Sequence, residues 1–443
     1  MRIAIEGCCH GELNTIYKSL SYIQDIDLLI ICGDFQALRN ESDLQSISVP
    51  AKYKRMADFH EYYNGIKKAP IPTIFIGGNH ECSTYLKELK YGGWVAPNIY
   101  YLGDFGSVWF KGVQICGWSG IFNYHTFVNN KSNTIEKLPY DNSTLRSAYH
   151  QKLTNFLKMY MMNHDMDIVL SHDWPIGIEK YGDERGLLRM KPFFKEDIQK
   201  GELGSPLNKF LLHYLRPKNW FSGHMHVKFE AMVKDNTKIN ENELELDMDD
   251  DGTSTNKNEI SLSMDDDTPM IGDDFESTFH FVEPTKNKKP KTNLTPQRGP
   301  CAHDTYFLAL DKYGNKRKYF QIKMIDGNSK HPSFDSDKLY YSKRSIAINK
   351  VVENYLTNHK EDFVGVDARE ILMNPHSFTL VNELMPLVAQ ELKSLDKLND
   401  DDFIIPENFK KIAPSDFNGK LKYYPNNQTE EYCKKFDIPE PDL

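Results

Sequence analysis

No stretch of this 443-residue chain approaches the roughly 20 consecutive apolar residues that a membrane-spanning helix needs. The opening run, "MRIAIEG", is too short an apolar segment for the core of a secretory signal, so a soluble intracellular protein is expected. Paired cysteines are also lacking. The seven, Cys8, Cys9, Cys32, Cys82, Cys116, Cys301 and Cys433, are odd in number and scattered, without the spacing of a disulfide framework or a zinc finger. That excludes a small stapled secreted scaffold and points to a reducing compartment. Net positive charge is missing too: 54 Lys and Arg against 63 Asp and Glu leave the chain at −9. A protein that coats nucleic acid non-specifically is thereby disfavoured, although a local basic patch or a metal site is still able to bind phosphate. No internal repeat of fixed period is found.

What the chain does have is length enough to bury a substantial core, as one large domain with additions or as two domains. From Arg2 to about Val227, short apolar β-branched runs alternate with amphipathic stretches, the pattern of strands buried between helices. "RIAIEG", "DLLIICGD", "PTIFIGGNH", "DIVLSHD" and "NWFSGHMH" are the clearest strands. Each ends in Gly, Ser, Asn, Asp or His, and in open α/β sheets that edge is where ligands bind.

The composition changes beyond residue 235. Between residues 241 and 276 stand 14 Asp or Glu against the single Lys257. Such a segment cannot bury enough surface to offset its ordering entropy, and disorder is expected there. A basic run follows, "TKNKKPK" at residues 285–291, which reads first as a solvated linker and second as a nuclear import signal or an RNA-contacting patch. "TYFLALDKYGNKRKYFQIKMI" then suggests a hairpin turning at Tyr313-Gly314-Asn315 and rejoining the first domain. "KRSIAINKVVENYLTNH" and "FTLVNELMPLVAQELKSL" carry apolar residues at three and four spacing, so the region after Lys338 is expected to be mainly helical. The chain thus divides into residues 1–235, an acidic insert at 236–300, and a C-terminal part at 301–443 that packs on the first.

The polar strand ends, in order, are Cys8-Cys9-His10, Gly33-Asp34, Gly78-Asn79-His80-Glu81, Ser171-His172-Asp173 and Gly223-His224-Met225-His226. One alone means little, since a lone Asp after a strand is usually a cap and a lone His a surface or core residue. Together they supply carboxylate, amide oxygen and imidazole, the ligand types that hard and borderline divalent metals take. In an extended "GHMH" segment His224 and His226 would project to one side. Cys8 and His10 stand in the same relation, which turns Cys9 the other way and makes it a packed thiol.

The order of "GDF", "GNHE", "SHD" and "GHMH" resembles the calcineurin-like metallophosphoesterases. That superfamily opens on Asp-x-His where this chain has Cys8-Cys9-His10. With "GCCHGELN", "GDFQALRNE", "IFIGGNHE", "YGGWVAPNIYYLG", "LSHDWP", "SGHMH" and "FLALDKYGNKRKYFQI", the chain is similar to the RNA lariat debranching enzymes, whose first motif carries cysteine there. The resemblance implies an α/β fold of the α+β kind: a β-sandwich flanked by helices, with a mainly helical C-terminal region. It implies one metal at Cys8, His10, Asp34 and His226, and a second at Asp34, Asn79, His172 and His224, with Asp34 bridging. Cys8 as a thiolate favours Zn or Fe(II) over Mg, the ions expected being one or two of Fe(II), Zn or Mn per chain, and a buried inert thiol is the other reading of that residue.

The activity implied is hydrolysis of the 2′-5′ phosphodiester of branched intron RNA. His80 would contact the phosphate and protonate the leaving group, with Glu81 and Asp173 orienting ligand imidazoles. Residues 120–150 match the family's lariat recognition loop and offer Phe122, Tyr124, His125, Tyr140, Arg146 and Tyr149 for stacking and backbone contact. Gln36, Arg39 and Asn40, just past Asp34, are further candidates for RNA contact. A surface ion pair is an equally ordinary use for Arg39. The partners expected are branched intron RNA and splicing or intron-turnover factors, with no membrane, for a monomer resident in the nucleus and with the cytoplasm left open. Two other readings stand beside this one. The site could act on another phosphoester, or the fold could be an inactive scaffold that binds branched RNA.

Overall fold

The computed structural model describes residues 1–129, 135–234, 303–360 and 362–443. The acidic insert with its basic run, and Cys301, lie outside the described residues.

Among the described residues thirteen strands run in chain order as β1 (Arg2–Glu6), β2 (Leu28–Ile31), β3 (Thr73–Phe75), β4 (Gly93–Ala96), β5 (Ile99–Tyr101), β6 (Phe105–Phe110), β7 (Val113–Trp118), β8 (Ile168–Ser171), β9 (Asn219–Ser222), β10 (Phe229–Val233), β11 (Thr305–Ala309), β12 (Phe320–Met324) and β13 (Tyr340–Tyr341). They form one sheet of order β12-β1-β2-β3-β5-β4 and a second of order β10-β11-β9-β8-β7-β6-β13. All five strands expected from the sequence are present.

Strand side chains alternate between faces, and here both faces are apolar. Ile3, Ile5, Leu28, Ile30 and Ile74 point between the sheets, where they meet Ile115, Ile168, Leu170, Phe221 and Leu308 of the second sheet. Ala4, Leu29, Ile31 and Phe75 face a separate cluster that includes Leu13, Ile16 and Leu20 of the helix Leu13–Leu20. The outer side of the second sheet buries Trp118, Val169, Trp220 and Phe307 against Phe156, Leu211, Ile346 and Val388 from four helices. Burial on two sides is why these strands read as unbroken apolar runs. Each such Leu, Ile or Phe contributes about 1.5–3 kcal/mol. The result is the expected sandwich flanked by helices.

Topology then places the chemistry. β1, β2, β3 and β5 are parallel, as are β7, β8, β9 and β11. Their carboxyl ends therefore open to one edge, and every polar strand end singled out in the sequence lies there.

The expected hairpin at residues 305–325 does not form. β11 pairs with β9 and β10 in the second sheet, whereas β12 pairs with β1 in the first. Alternation within a strand does not say which sheet it joins. The connection crosses from one sheet to the other directly over the turn after β1, where Gly7 N donates to Tyr319 O at 3.0 Å and Cys8 N to Asp311 O at 3.4 Å.

Both helices expected in the C-terminal region are found, as Lys343–Asn358 and Leu380–Leu395. A further helix, Asn427–Phe436, lies in the stretch whose composition gave no reading. Among the described residues no helix is long and apolar enough to cross a membrane.

A buried ionic cluster fastens this region. Glu353 of the helix Lys343–Asn358 accepts from Lys90 at 3.0 Å and from Lys158. Burial raises the Glu353 carboxyl, but Lys158 and Lys90 outweigh it and hold it down at about 2. A carboxyl held below its ordinary value of about 4.3 stabilises the fold fully above that range, and the contribution is lost as pH falls toward 2. Glu353→Ala leaves two ammonium groups buried without their shared carboxylate. Urea denaturation at pH 7 should show it less stable by about 3–5 kcal/mol. A loss under 1 kcal/mol would mean that the cluster is solvated and does not fasten the region.

Candidate metal centre

Five loops leave the common edge and bring their polar side chains to one place. Cys8 Sγ, a ring nitrogen of His10, an Asp34 carboxylate oxygen and a ring nitrogen of His226 all lie within 4.8 Å of one another, and all four residues are buried. His10 Nε2 stands 3.1 Å from His226 Nε2 and 3.7 Å from Asp34 Oδ2. Metal bonds of about 2.0–2.3 Å in a tetrahedral site set their donors roughly 3.3–3.8 Å apart; the His10–Asp34 spacing falls in that range, and the two imidazole nitrogens stand slightly closer than it. The chemistry of the donors fits a divalent cation. Burial drives the His10 imidazole down to about 3 and that of His226 well below its ordinary value, so both rings are neutral and present lone pairs. Asp34 Oδ2 is buried and accepts no hydrogen bond among the described residues, a costly state that a cation relieves.

The other Asp34 oxygen faces a second group. Oδ1 accepts from His80 N at 2.8 Å and lies 3.3 Å from His172 Nε2. His172 Nε2 is also 3.3 Å from Asn79 Oδ1, and the His224 ring stands beside it with centroids 5.0 Å apart. His172 Nδ1 bonds the Cys32 carbonyl at 2.7 Å. A carbonyl only accepts, so the proton is on Nδ1 and Nε2 is left to bind metal. Asp34 thus has one oxygen toward His10 and the other toward His172. Burial raises the Asp34 carboxyl, but His172 and His80 overcome this and keep it ionised.

Local backbone makes this convergence possible. His10, Asp34, His224 and His226 all have positive φ, at 47°, 50°, 65° and 48°, a region that non-glycine residues seldom occupy and that costs about 1–3 kcal/mol each. The expected extended "GHMH" segment is therefore a left-handed turn, which sets the His224 ring beside His172 and sends His226 to the first donor group. Glycine provides the clearance. A Cβ on Gly78 would lie 2.3 Å from Asp34 Oδ1 and 2.6 Å from His172 Nε2. On Gly223 it would meet Cys8 Sγ at 3.1 Å, next to the point where that sulfur accepts from His224 N at 3.0 Å. Cys9 turns away into the core with Leu13 and Ile16, as its position predicted.

His80 is at the site. Its ring lies 5.4 Å from that of His10. Glu81 and Asp173 take different duties from those expected, since neither touches a ligand imidazole through its carboxylate. Glu81 accepts from Phe35 N at 2.7 Å, Gln36 N at 2.9 Å and Gly78 N at 3.1 Å, so it clamps together the loops that carry Asp34 and Asn79. Burial and Asp34 push its carboxyl up to about 8 against these donors. Asp173 accepts from Trp174 N at 2.9 Å and Phe122 N at 3.3 Å, which ties the start of residues 120–150 to the His172 loop.

Several expected RNA contacts are corrected. Arg39 is fully buried, with its guanidinium on Asp43 at 2.9 Å and Glu88 at 2.7 Å and its plane over the Tyr85 ring. No face of it is left for RNA. Asn40 caps the turn Glu41–Ser46 and donates to Pro414 O at 2.8 Å. Gln36 lies against His10 Nδ1 at 3.4 Å. Phe122 is core, packed with Phe127, and Tyr149 is buried beside His150. Tyr124 and Tyr140 are half-buried, and His125 and Arg146 are exposed; these four stay open to a ligand. Residues 130–134 of the segment lie outside the described residues.

Sequence reasoning missed Glu6. This residue ends β1, is fully buried, and neither carboxylate oxygen accepts a hydrogen bond among the described residues. Burial first, then Asp34 and Asp311, raise its carboxyl well above the ordinary range. A glutamate closing an otherwise apolar strand, two residues before Cys8, was the available signal.

Comparison with known proteins agrees with this geometry. The calcineurin-like phosphoesterase family matches residues 1–228, and the C-terminal domain of lariat debranching enzymes matches residues 302–441. The Lariat debranching enzyme of Schizosaccharomyces pombe is 37% identical over 94% of this chain and 90% of that protein. Its namesake from Gallus gallus is 37% identical over 99% of this chain and 70% of that protein. The Danio rerio protein of the same name is 51% identical over 54% of this chain, a match that spans 43% of that relative's length. Family matches at both ends of the chain, and relatives aligned along nearly all of it, show that the chain belongs to the lariat debranching enzyme family.

Proposed function

We propose that this chain hydrolyses the 2′-5′ phosphodiester at the branch point of excised intron lariats, giving linear RNA with a 5′-phosphate. The observation that carries the reading is Asp34 standing between two groups of buried donors with His80 at their side. Cys8, His10, Asp34 and His226 would hold one divalent cation, and Asp34, Asn79, His172 and His224 a second. Cations bound there supply Lewis-acid charge to the phosphodiester and lower the pKa of water toward 7.

The chain's own residues do the rest. His10 is neutral, so the first donor group carries only the charges of Asp34 and of the Cys8 thiolate that a cation would require. The His80 imidazole gives a proton to the departing 2′-oxygen, which leaves as a hydroxyl instead of an alkoxide. Its backbone N–H bond to Asp34 fixes where that ring stands. Glu81 keeps the Asp34 and Asn79 loops in register. Tyr124, His125, Tyr140 and Arg146 stack on bases and meet phosphates around the branch. Lariats arise where splicing occurs, so the reading places the protein in the nucleus, acting as a monomer alongside splicing or intron-turnover factors.

Anaerobically purified protein, stripped of metal and resupplied with Fe(II), Zn or Mn, should cleave a synthetic branched RNA and leave a linear 3′-5′ control intact. His80→Ala should lower the rate by about 10²–10⁴-fold while retaining metal. Equal attack on the linear control or on phosphomonoesters would assign the site to another phosphoester.

The soft sulfur sets which cation is held. Cys8→Asp replaces it with a hard oxygen donor and should shift metal retention after dialysis from Zn and Fe(II) toward Mn. Elemental analysis reads the ratio. An unchanged ratio would show that Cys8 does not ligate.

A further inference from the structure

The C-terminal region reaches the metal centre and residues 120–150 through one extended strap. After Ile405, whose N–H bonds Leu339 O at 2.8 Å, the chain runs without helix or strand to residue 426. It is held instead by side chains of the first half of the protein. Tyr63 Oη accepts from Ile412 N at 3.0 Å and Ala413 N at 2.8 Å. Asn40 donates to Pro414 O at 2.8 Å, and Ser42 Oγ to Gly419 O at 2.8 Å. Tyr424 N donates to Glu88 Oε1 at 3.0 Å, and the Tyr424 ring centroid lies 5.2 Å from the Arg39 guanidinium. Since Arg39 and Asn40 follow Asp34 within one loop, this part of the strap is fastened to the loop that carries the shared metal ligand.

The neighbouring residue points elsewhere. Tyr423 Oη donates to the Glu136 carbonyl at 2.7 Å and pairs with Tyr140 Oη, also at 2.7 Å. These bonds grip residues 136–140 from outside. Among the described residues the segment is also tied at its root, where Gly120 N bonds Gly77 O at 2.9 Å and Phe122 N bonds Asp173, and through Phe127, which is buried against Phe156. The Glu136 carboxylate is further tied to Lys152, just past the segment, and to Ser147 Oγ. Tyr423 and Tyr424 are consecutive, so one peptide unit links the far side of residues 120–150 to the Arg39-Glu88 cluster beside the metal loop.

We infer that Tyr423 is a positioning residue for branched RNA: it holds residues 136–140 at a set place relative to Asp34, and so makes branch recognition depend on the C-terminal region. The inference rests on the debranching reading. The phenol is the right group for the task. Its oxygen is at once a donor to the carbonyl and a partner to a second hydroxyl, and its ring is half-buried, so Phe keeps the packing while removing both bonds. A segment freed on that side must be ordered again each time RNA binds, which weakens binding and leaves the chemical step to His80 and the metal ligands.

Two measurements on Tyr423→Phe test this. In steady-state cleavage of branched RNA, KM should rise on the order of tenfold, the effect of losing two hydrogen bonds, and kcat should change by less than about twofold. In hydrogen exchange followed by mass spectrometry, amides of residues 136–148 should exchange faster than in the wild type, with peptides from β1, β2 and β8 unaltered. An unchanged KM overturns the inference. So does faster exchange throughout the chain, which would make Tyr423 a general support of the fold. Should the wild type fail to open branched RNA, the debranching reading falls. The exchange arm would still decide whether Tyr423 holds the segment, and unaltered exchange at 136–148 would dispose of the inference by itself.

Discussion

One buried carboxylate has to serve two sets of donors at once, and the rest of the architecture follows from that demand. Asp34 Oδ2 looks toward His10 and Oδ1 toward His172. Those histidines come from different sheets, His10 after β1 and His172 after β8, so a single carboxylate reaches both only where two sheets close face to face with their parallel strands ending together. The apolar interior of Ile3, Ile30, Ile168 and Leu308 provides that closure. Approach at the edge is then limited by backbone thickness, and Gly78 opposite both Asp34 and His172 keeps it within a metal's reach.

The centre is internally costly as it stands in the protein alone. One carboxylate oxygen has no hydrogen-bond partner among the described residues, and four ligands lie in left-handed backbone. None of these features stabilises a fold. They persist because neighbours hold the loops independently: Glu81 with three amides, Cys32 with its carbonyl on His172, and His224 N on the Cys8 sulfur. Such a site is prepared for a cation in advance, and the cation offsets the cost of the unpartnered Asp34 oxygen, so metal affinity and local stability are linked.

Much of this was legible in the chain, for a physical reason. Strands buried on both faces are written as continuous β-branched runs, and a Gly, Asn, Asp or His at the end of such a run has few structural uses, so Cys8, His10, Asp34, Asn79, His172, His224 and His226 could be picked out together. What could not be read was side-chain direction within loops and the identity of remote partners. Arg39, close to Asp34 in sequence, points the other way because Glu88 and Tyr424 await it. Phe122 lies in a loop-like stretch but enters the core through Phe127 and Phe156. β11 and β12 read as a hairpin because adjacency in sequence is the usual guide to pairing, yet they serve opposite sheets. The errors over Arg39 and over the hairpin came from trusting local sequence where a contact more than 40 residues distant, such as Arg39 with Glu88, decides.

The same distances explain why the C-terminal region belongs to the site's construction. A sheet edge exposes unpaired amides and carbonyls, and at β4 this edge is met by one side chain. Gln428 accepts from Trp94 N at 2.8 Å and donates to Trp94 O at 2.9 Å, as a neighbouring strand would. Thr429 bonds Glu88 O at 2.7 Å, and the Glu88 carboxylate holds Arg39. Burial raises the Glu88 carboxyl, and the Arg39 guanidinium beside it opposes that rise. A carboxylate in that condition depends on every donor it has, including Tyr424 N from the strap. Loss of the strap would therefore expose a sheet edge and remove donors from a buried ion pair on the loop that presents Asp34, so the metal ligands are held in place partly by residues near the other end of the chain.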